Sequence, residues 1–176
     1  GGRAGFRPDY AVYVYTKILK TLYPETPVII GGLESSLRRI AHYDYWQNKI
    51  KPSILFETGA DLLVYGMGEK PLKEIVRLCK KGVPIANMNS VPQTAFITSK
   101  GKIPKNKIWE DLYLSSFEDC VKDKQVQFKN FRLFETETNK MYGKRIIQDT
   151  ENSSIVVNPP YPPFAYGELD ESFEYP

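Results

Sequence analysis

Residues 28–46, Val28-Ile29-Ile30-Gly31-Gly32-Leu33-Glu34-Ser35-Ser36-Leu37-Arg38-Arg39-Ile40-Ala41-His42-Tyr43-Asp44-Tyr45-Trp46, decide how this chain is read. The β-branched run at their start fits a strand buried on both faces. Gly31-Gly32 ends that run, and Glu34, Ser35 and Ser36 suit the first turn of a helix. A strand, a glycine turn and a helix start in that order expose backbone N–H groups at the carboxyl end of a strand. Open α/β sheets bind ligands there.

Upstream, Pro8 and Asp9 suit a first helical turn, and Ala11, Tyr15, Ile18, Leu19 and Leu22 recur at helical spacing. The pattern predicts an amphipathic helix over 9–23. Downstream, residues 52–56 read as a short helix closed by Gly59, and 61–65 as a second buried strand ending in Gly66-Met67-Gly68-Glu69. A helix follows from Pro71, with Ile75, Leu78 and Cys79 as its buried stripe and Gly82 as its stop. Residues 83–86 and 94–98 read as strands. Ser115-x-x-Glu118 reads as the capping box of one long helix carrying Phe117, Val121, Phe128 and Phe131 on one face. Residues 145–148 and 154–157 pair as a hairpin, and prolines 159, 160, 162 and 163 make an extended linker.

The alternation of strands and helices over 9–98 specifies an α/β fold, a mostly parallel sheet flanked by helices. Residues 1–112 form its core, 113–157 a long helix plus β-hairpin, and 158–176 a proline-rich acidic linker. The 24 Lys and Arg nearly balance the 21 Asp and Glu, for a net charge of +3, which argues against nucleic acid as a partner. Lys100, Lys102, Lys105 and Lys107 fit a solvated loop. No apolar run is long enough for a bilayer, and no secretory signal pattern appears. The two cysteines, Cys79 and Cys120, are far apart and read as reduced thiols of a cytoplasmic protein. The start at Gly1 without a Met and the irregular acidic end are expected of part of a longer protein.

The candidate ligand crevice gathers Gly31, Gly32, Glu34, Ser35, Ser36, Arg38, Arg39, His42, Gly66, Gly68 and Glu69. Its serines can donate hydrogen bonds, and its arginines can grip a carboxylate or phosphate in bidentate fashion. The same residues also serve as ordinary strand exits and helix caps, so both readings stand. His42 with Asp44 admits an acid–base reading, and the aromatic residues around it admit a packing role. Glu69 can meet a ligand hydroxyl or stabilise a helix dipole. Arg3 and Arg7 form either an anion clamp or a solvated arm. No dinucleotide fingerprint and no P-loop are present, and one His with two distant Cys makes no metal site.

Four stretches carry a family resemblance: residues 1–9, 30–46, 60–69, and Asn158-Pro159-Pro160 with Glu168-Leu169-Asp170. In them the chain resembles the N-terminal region of YgiQ-type (UPF0313) radical S-adenosylmethionine (SAM) proteins. Its two strand ends are also similar to Rossmann-like, flavodoxin- or cobalamin-binding-like domains that precede radical SAM barrels. The resemblance implies a parent enzyme whose barrel, outside this chain, holds a [4Fe–4S] cluster and S-adenosylmethionine through a three-cysteine loop. It implies an accessory role for this chain, capping substrate or cofactor, with no catalytic residue of its own. The runner-up is a non-catalytic module binding a nucleotide, another anion or a protein. The Asp-x-His-x-x-Gly motif of cobalamin-binding domains is absent around His42. Family strands upstream of Gly1 are also absent, so the resemblance implies a sheet incomplete at the N-terminus, with an exposed edge through which copies can self-associate.

Overall fold

The computed structural model describes residues 5–6, 8–168 and 170–174. Helix α1 (Ala11–Leu22) leads to strand β1 (Ile29–Ile30), helix α2 (Gly32–Leu37), the hairpin β2 (His42–Asp44) and β3 (Lys49–Lys51), helix α3 (Ile54–Thr58), strand β4 (Leu62–Val64) and helix α4 (Glu69–Lys80). A 3-10 turn (Ile85–Asn87) precedes β5 (Thr94–Ser99), β6 (Asp111–Leu114), α5 (Phe117–Lys122) and α6 (Lys124–Thr138). The hairpin β7 (Arg145–Asp149) and β8 (Ser153–Val157) and a terminal turn α7 (Asp170–Phe173) complete the order.

Six strands form one sheet in the order β1-β4-β5-β8-β7-β6, and β2 with β3 forms a separate two-stranded ribbon. Along the central strands, alternate side chains enter two cores. Leu63, Ala95, Ile146, Ile155 and Val157 face one side with Leu55 and Phe134. Leu62, Val64, Phe96, Ile147 and Val156 face the other with Ile75 and Met88. Helix α6 supplies Phe134 and α3 supplies Leu55 to the first core, while α4 supplies Ile75 to the second. Both faces are thus covered, as the near-continuous apolar character of β4 and β8 requires. At the β6 edge, Arg145 is 2% exposed. It holds Asp111 in a two-pronged ion pair, Nε to Oδ1 at 2.7 Å and the second arm to Oδ2 at 2.8 Å.

The α/β class and the Rossmann-like opening stand: β1 and β4 are parallel, Ile29 opposite Leu62. Parallel pairing returns at the far edge, between β6 and β7. The three ladders between them are antiparallel, so parallel pairing is confined to the two edges and the sheet is mixed. The cause is connection length. The β7–β8 hairpin turns in residues 150–152, too short for the crossover a parallel pair needs. The hairpin also lies within the sheet, between β5 and β6, rather than beside it.

Several local expectations change. Residues 83–86 do not form a strand: Pro84 has no N–H to offer a ladder, and its carbonyl accepts from Asn87 N at 2.9 Å, starting the 3-10 turn. The long helix after residue 115 is two helices broken at Asp123, which ends α5 and caps α6 through Gln125 N at 2.8 Å. Its cap is Ser116, accepting from Asp119 N at 3.1 Å, while Glu118 instead accepts from Glu151 N. The break resets the helical phase: α6 buries Asn130, Phe134 and Glu137 and leaves Phe128 and Phe131 outside. Cys79, expected on the buried stripe of α4, is exposed.

Candidate functional site

The carboxyl ends of β1 and β4 lie side by side, and the loops leaving them touch. Ser36 Oγ accepts from Gly66 N at 3.2 Å. A Cβ on Gly31 would sit 3.2 Å from the carbonyl oxygen of Val64, so the glycine permits the close approach of the two strand ends. Gly66, at φ +66°, turns the chain away from β4 in the left-handed region. Gly32 takes the same region at the start of α2, and Gly68 precedes α4 with Leu72 against it.

The charged residues of the crevice diverge from there. Glu34 accepts from Val12 N at 3.0 Å and from Arg38 at 3.2 Å, tying α2 to the start of α1. Arg38 lies over the Tyr10 ring at 4.6 Å and 3.9 Å from Asp44 Oδ2. Asp44 accepts from Tyr10 Oη and Gln47 N at its other oxygen. Burial pushes the Asp44 carboxyl up, yet the hydrogen bonds from Gln47 and Tyr10 and the charges of Lys51 and Arg38 together hold it below the usual carboxylate range. Arg38 is therefore occupied by carboxylates of its own chain. Ser35 is fully buried, its Oγ unpartnered and out of reach of a crevice ligand.

Arg39 turns the opposite way. Its guanidinium lies between the Tyr65 and Phe134 rings, 4.6 and 4.4 Å from their centroids, and donates to the carbonyl of Ser36. With His42 it lines a cavity of about 600 Å³ between the β2–β3 ribbon and α6. Gln127, Phe128, Phe131 and Phe134 close the far wall, and Lys49, Lys124 and Glu135 also line it. His42 Nδ1 lies 3.1 Å from the carbonyl of Ile40, while Nε2 has no partner. Burial pushes the imidazole below its ordinary value, assisted by the charges of Arg38 and Lys51 and opposed by the Ile40 carbonyl and Glu57. The volume is in the range of small-molecule sites.

Glu69 sits apart from both groups. It lines a cavity of about 350 Å³ beside α4 with Lys70, Lys73 and Glu168, and its Oε2 is buried without a partner. The C-terminal segment roofs this end of β4. Lys70 Nζ meets Glu168 at 2.9 Å and lies over the Phe164 ring at 4.5 Å. Gln93, in the left-handed region at φ 63°, donates through Nε2 to the carbonyls of Tyr65 and Met67, and its own N–H donates to Pro159 O at 2.8 Å. The C-terminal segment thus packs against the strand ends.

The eleven sequence-chosen residues therefore divide. Gly31, Gly32, Ser36, Gly66 and Gly68 build the strand-end turns, Glu34 and Arg38 brace them, Ser35 is buried, Arg39 and His42 line the large cavity, and Glu69 lies near α4. Sequence reasoning misses Gln93, Gln127, Phe128 and Phe131. The signal available for the last two is their place on a helix whose outer face they occupy. Arg3 and Arg7 lie outside the described residues, and Lys100, Lys102, Lys105 and Lys107 are exposed.

The donor set does not fit an iron–sulfur cluster. Cys79 is exposed on α4, and Cys120 is buried, with Asn130 Nδ2 at 3.1 Å from its sulfur. Burial raises the Cys120 thiol, against the Asn130 hydrogen bond, which leaves it a poor ligand. Among the described residues, no group of three or more His, Cys, Asp or Glu is placed to hold a metal ion. None of their helices is long and apolar enough to cross a membrane.

Comparison with known proteins bears on the whole chain. It is 49% identical over 174 residues to a UPF0313 protein of Porphyromonas gingivalis, covering 99% of this chain and 27% of that protein. To a UPF0313 protein of Bacteroides thetaiotaomicron it is 45% identical, covering 99% of this chain and 30% of the relative. To one of Geobacter sulfurreducens it is 39% identical, covering 100% and 29%. The chain thus spans less than a third of the length of these curated relatives. No solved structure matches it. The sequence model of the radical SAM N-terminal family matches residues 1–176, and the chain belongs to that family.

Proposed function

We propose that this chain is the accessory domain of a radical S-adenosylmethionine enzyme, capping a catalytic barrel built by residues beyond it. The observation that carries the reading is the family match over residues 1–176 in a chain that spans only 27–30% of its relatives. In the longer protein, a [4Fe–4S] cluster held by cysteines outside this chain would supply the radical by reductive cleavage of S-adenosylmethionine. This chain's residues would bind and shield. Leu33 and Leu37, 83% and 74% exposed on α2, and Met67, 49% exposed on the adjoining turn, form an apolar rim at the strand ends suited to a barrel face. The docked linker, anchored at Asn158 and Gln93, sets the position from which the chain continues. The runner-up, an anion-binding module, has less support because Glu34 and Asp44 already occupy Arg38.

The test uses the full-length protein with its cluster reconstituted. It is expected to bind S-adenosylmethionine and, once reduced, to release 5′-deoxyadenosine, read by chromatography. Leu33→Asp with Leu37→Asp is expected to keep the cluster's absorbance but slow that release, because a charged rim docks poorly. A full-length protein that neither binds nor cleaves S-adenosylmethionine sinks the reading. Nucleotide binding abolished by Arg38→Ala would favour the runner-up.

A further inference from the structure

Helix α1 carries its apolar stripe on a side that the described residues leave bare. Val12, Thr16 and Lys20 form the side that meets the rest of the chain: Val12 packs against the first core, Thr16 is 3% exposed, and Lys20 pairs with Asp61. Tyr15, Ile18, Leu19 and Leu22 lie roughly 110° round the helix from that line, counting about 100° per residue. They are 51%, 48%, 43% and 63% exposed. Their spacing is that of a stripe a helix buries, yet two of the three residues on the covered side are polar.

The strand that follows α1 is open as well. β1 is the end strand of the sheet, with β4 on one side and, among the described residues, no strand on the other. Residues 28–30 hold neither charge nor proline, which commonly guard a free edge. At the opposite end of the sheet, β6 starts on Asp111, with the Glu110–Lys144 ion pair beside it. Two consecutive elements, α1 and β1, thus each leave an apolar surface uncovered.

We propose that a segment of the same polypeptide, outside residues 1–176, packs on the α1 flank and covers it with apolar side chains. Size favours that occupant over a second copy of the chain. Helix α1 has 12 residues, so its flank is about 18 Å long and ~10 Å wide, on the order of 200 Å², against about 800 Å² per partner in a stable dimer. A tethered segment needs less area, because its effective concentration is already in the millimolar range. The chain spans 27–30% of the length of its relatives, which leaves ample polypeptide for the task. The surface is separate from the Leu33–Leu37 rim offered to the barrel, and the inference goes beyond the accessory role.

The experiment is maleimide labelling of the full-length protein as isolated, with no S-adenosylmethionine added, in the variants Leu19→Cys, Leu22→Cys and Thr21→Cys. Thr21 is exposed on the polar flank of the same helix and serves as the reference. Peptide mass spectrometry reads the label at each position apart from the native cysteines. Cysteine is a small apolar side chain, so the variants keep the fold, which circular dichroism checks. Positions 19 and 22 are expected to label at least about tenfold more slowly than position 21, and in urea all three should label alike. The protection is expected to persist after about hundredfold dilution, as it does for a contact within one chain. Labelling of positions 19 and 22 as fast as position 21 overturns the proposal, because the flank is then bare. Protection that disappears on dilution, with a dimer mass in ultracentrifugation, also overturns it and assigns the flank to a second copy. The labelling involves no radical chemistry, so its failure and the failure of the radical reading are separate outcomes.

Discussion

Replacing Asn158 tests how the last strand hands the chain to its C-terminal segment. The residue is fully buried just after β8. Its Nδ2 donates toward Asn89 O at 3.1 Å, Val91 O at 2.8 Å and Thr94 Oγ1 at 3.2 Å, and its carbonyl accepts from Tyr65 Oη at 2.6 Å. The backbone contacts survive substitution, so a side-chain change isolates the amide. Two N–H protons can make two full bonds among the three acceptors, together about 2 kcal/mol. Truncation also removes Oδ1, which is buried without a partner and offsets about 1 kcal/mol of the loss. Asn158→Ala is therefore expected to cost about 1–2 kcal/mol. Asn158→Asp keeps the shape but turns a carboxylate oxygen toward three acceptors, and should cost about 3–5 kcal/mol, as an unpaired buried charge does. Urea unfolding followed by tryptophan fluorescence gives the order: parent, alanine, then aspartate at the lowest midpoint. An aspartate variant as stable as the alanine variant refutes the reasoning, because the pocket would then not be an acceptor cage.

Other perturbations separate bracing from binding. Gly66→Ala meets both a φ of +66° and Gln93 Nε2 at 3.3 Å, so thermal unfolding should show a loss of about 1–2 kcal/mol. Gly31→Ala, at an extended φ of −162°, should cost less, since only the Val64 carbonyl must shift; a larger loss at Gly31 would reverse the account. Arg38→Ala should destabilise by about 1–3 kcal/mol by leaving the buried Asp44 carboxylate short of its cation; unchanged stability would mark Arg38 as free for a ligand. Burial holds His42 below its ordinary value, so the unfolded chain takes up the proton first. Stability contributed by neutral His42 is full above the unfolded value near 6.5 and falls below it, at most about 1.4 kcal/mol per pH unit. The groups that bear on it are Arg38, Lys51, Glu57 and the Ile40 carbonyl, and His42→Asn should flatten the slope of urea midpoints between pH 6.5 and 5 if the account holds.

Elements whose ends have their own turn chemistry are legible in the sequence. Gly59 and Gly82 stop α3 and α4 in the left-handed region, and Ser53 caps α3 by accepting from Leu55 N. The strand-end pair of Gly31 and Gly66 is legible too, because a glycine turn after a buried run has few other uses. The β2–β3 ribbon is not. His42, Tyr43 and Asp44 pair with Lys51, Ile50 and Lys49 across an Asn48 at φ 48°, a position usually marked by glycine. The split of Arg38 from Arg39 is equally hidden: adjacent residues after a short helix point to different partners, one to Tyr10 just before α1 and one to Tyr65 just after β4 and Phe134 on α6.

By itself the sequence determined local periods, turn positions and family, since these depend on residues near one another or on long matching stretches. It placed the glycine turn that ends β1 within residues 28–46. Tertiary structure alone decided strand direction and the composition of the cavity. Direction depends on which strands meet through short or long connections, and the cavity joins Arg39 and His42 to Gln127, Phe128 and Phe131, more than 80 positions away. No local pattern encodes that meeting: it arises because α6 buries Phe134 in the core and thereby turns its outer rings toward the ribbon.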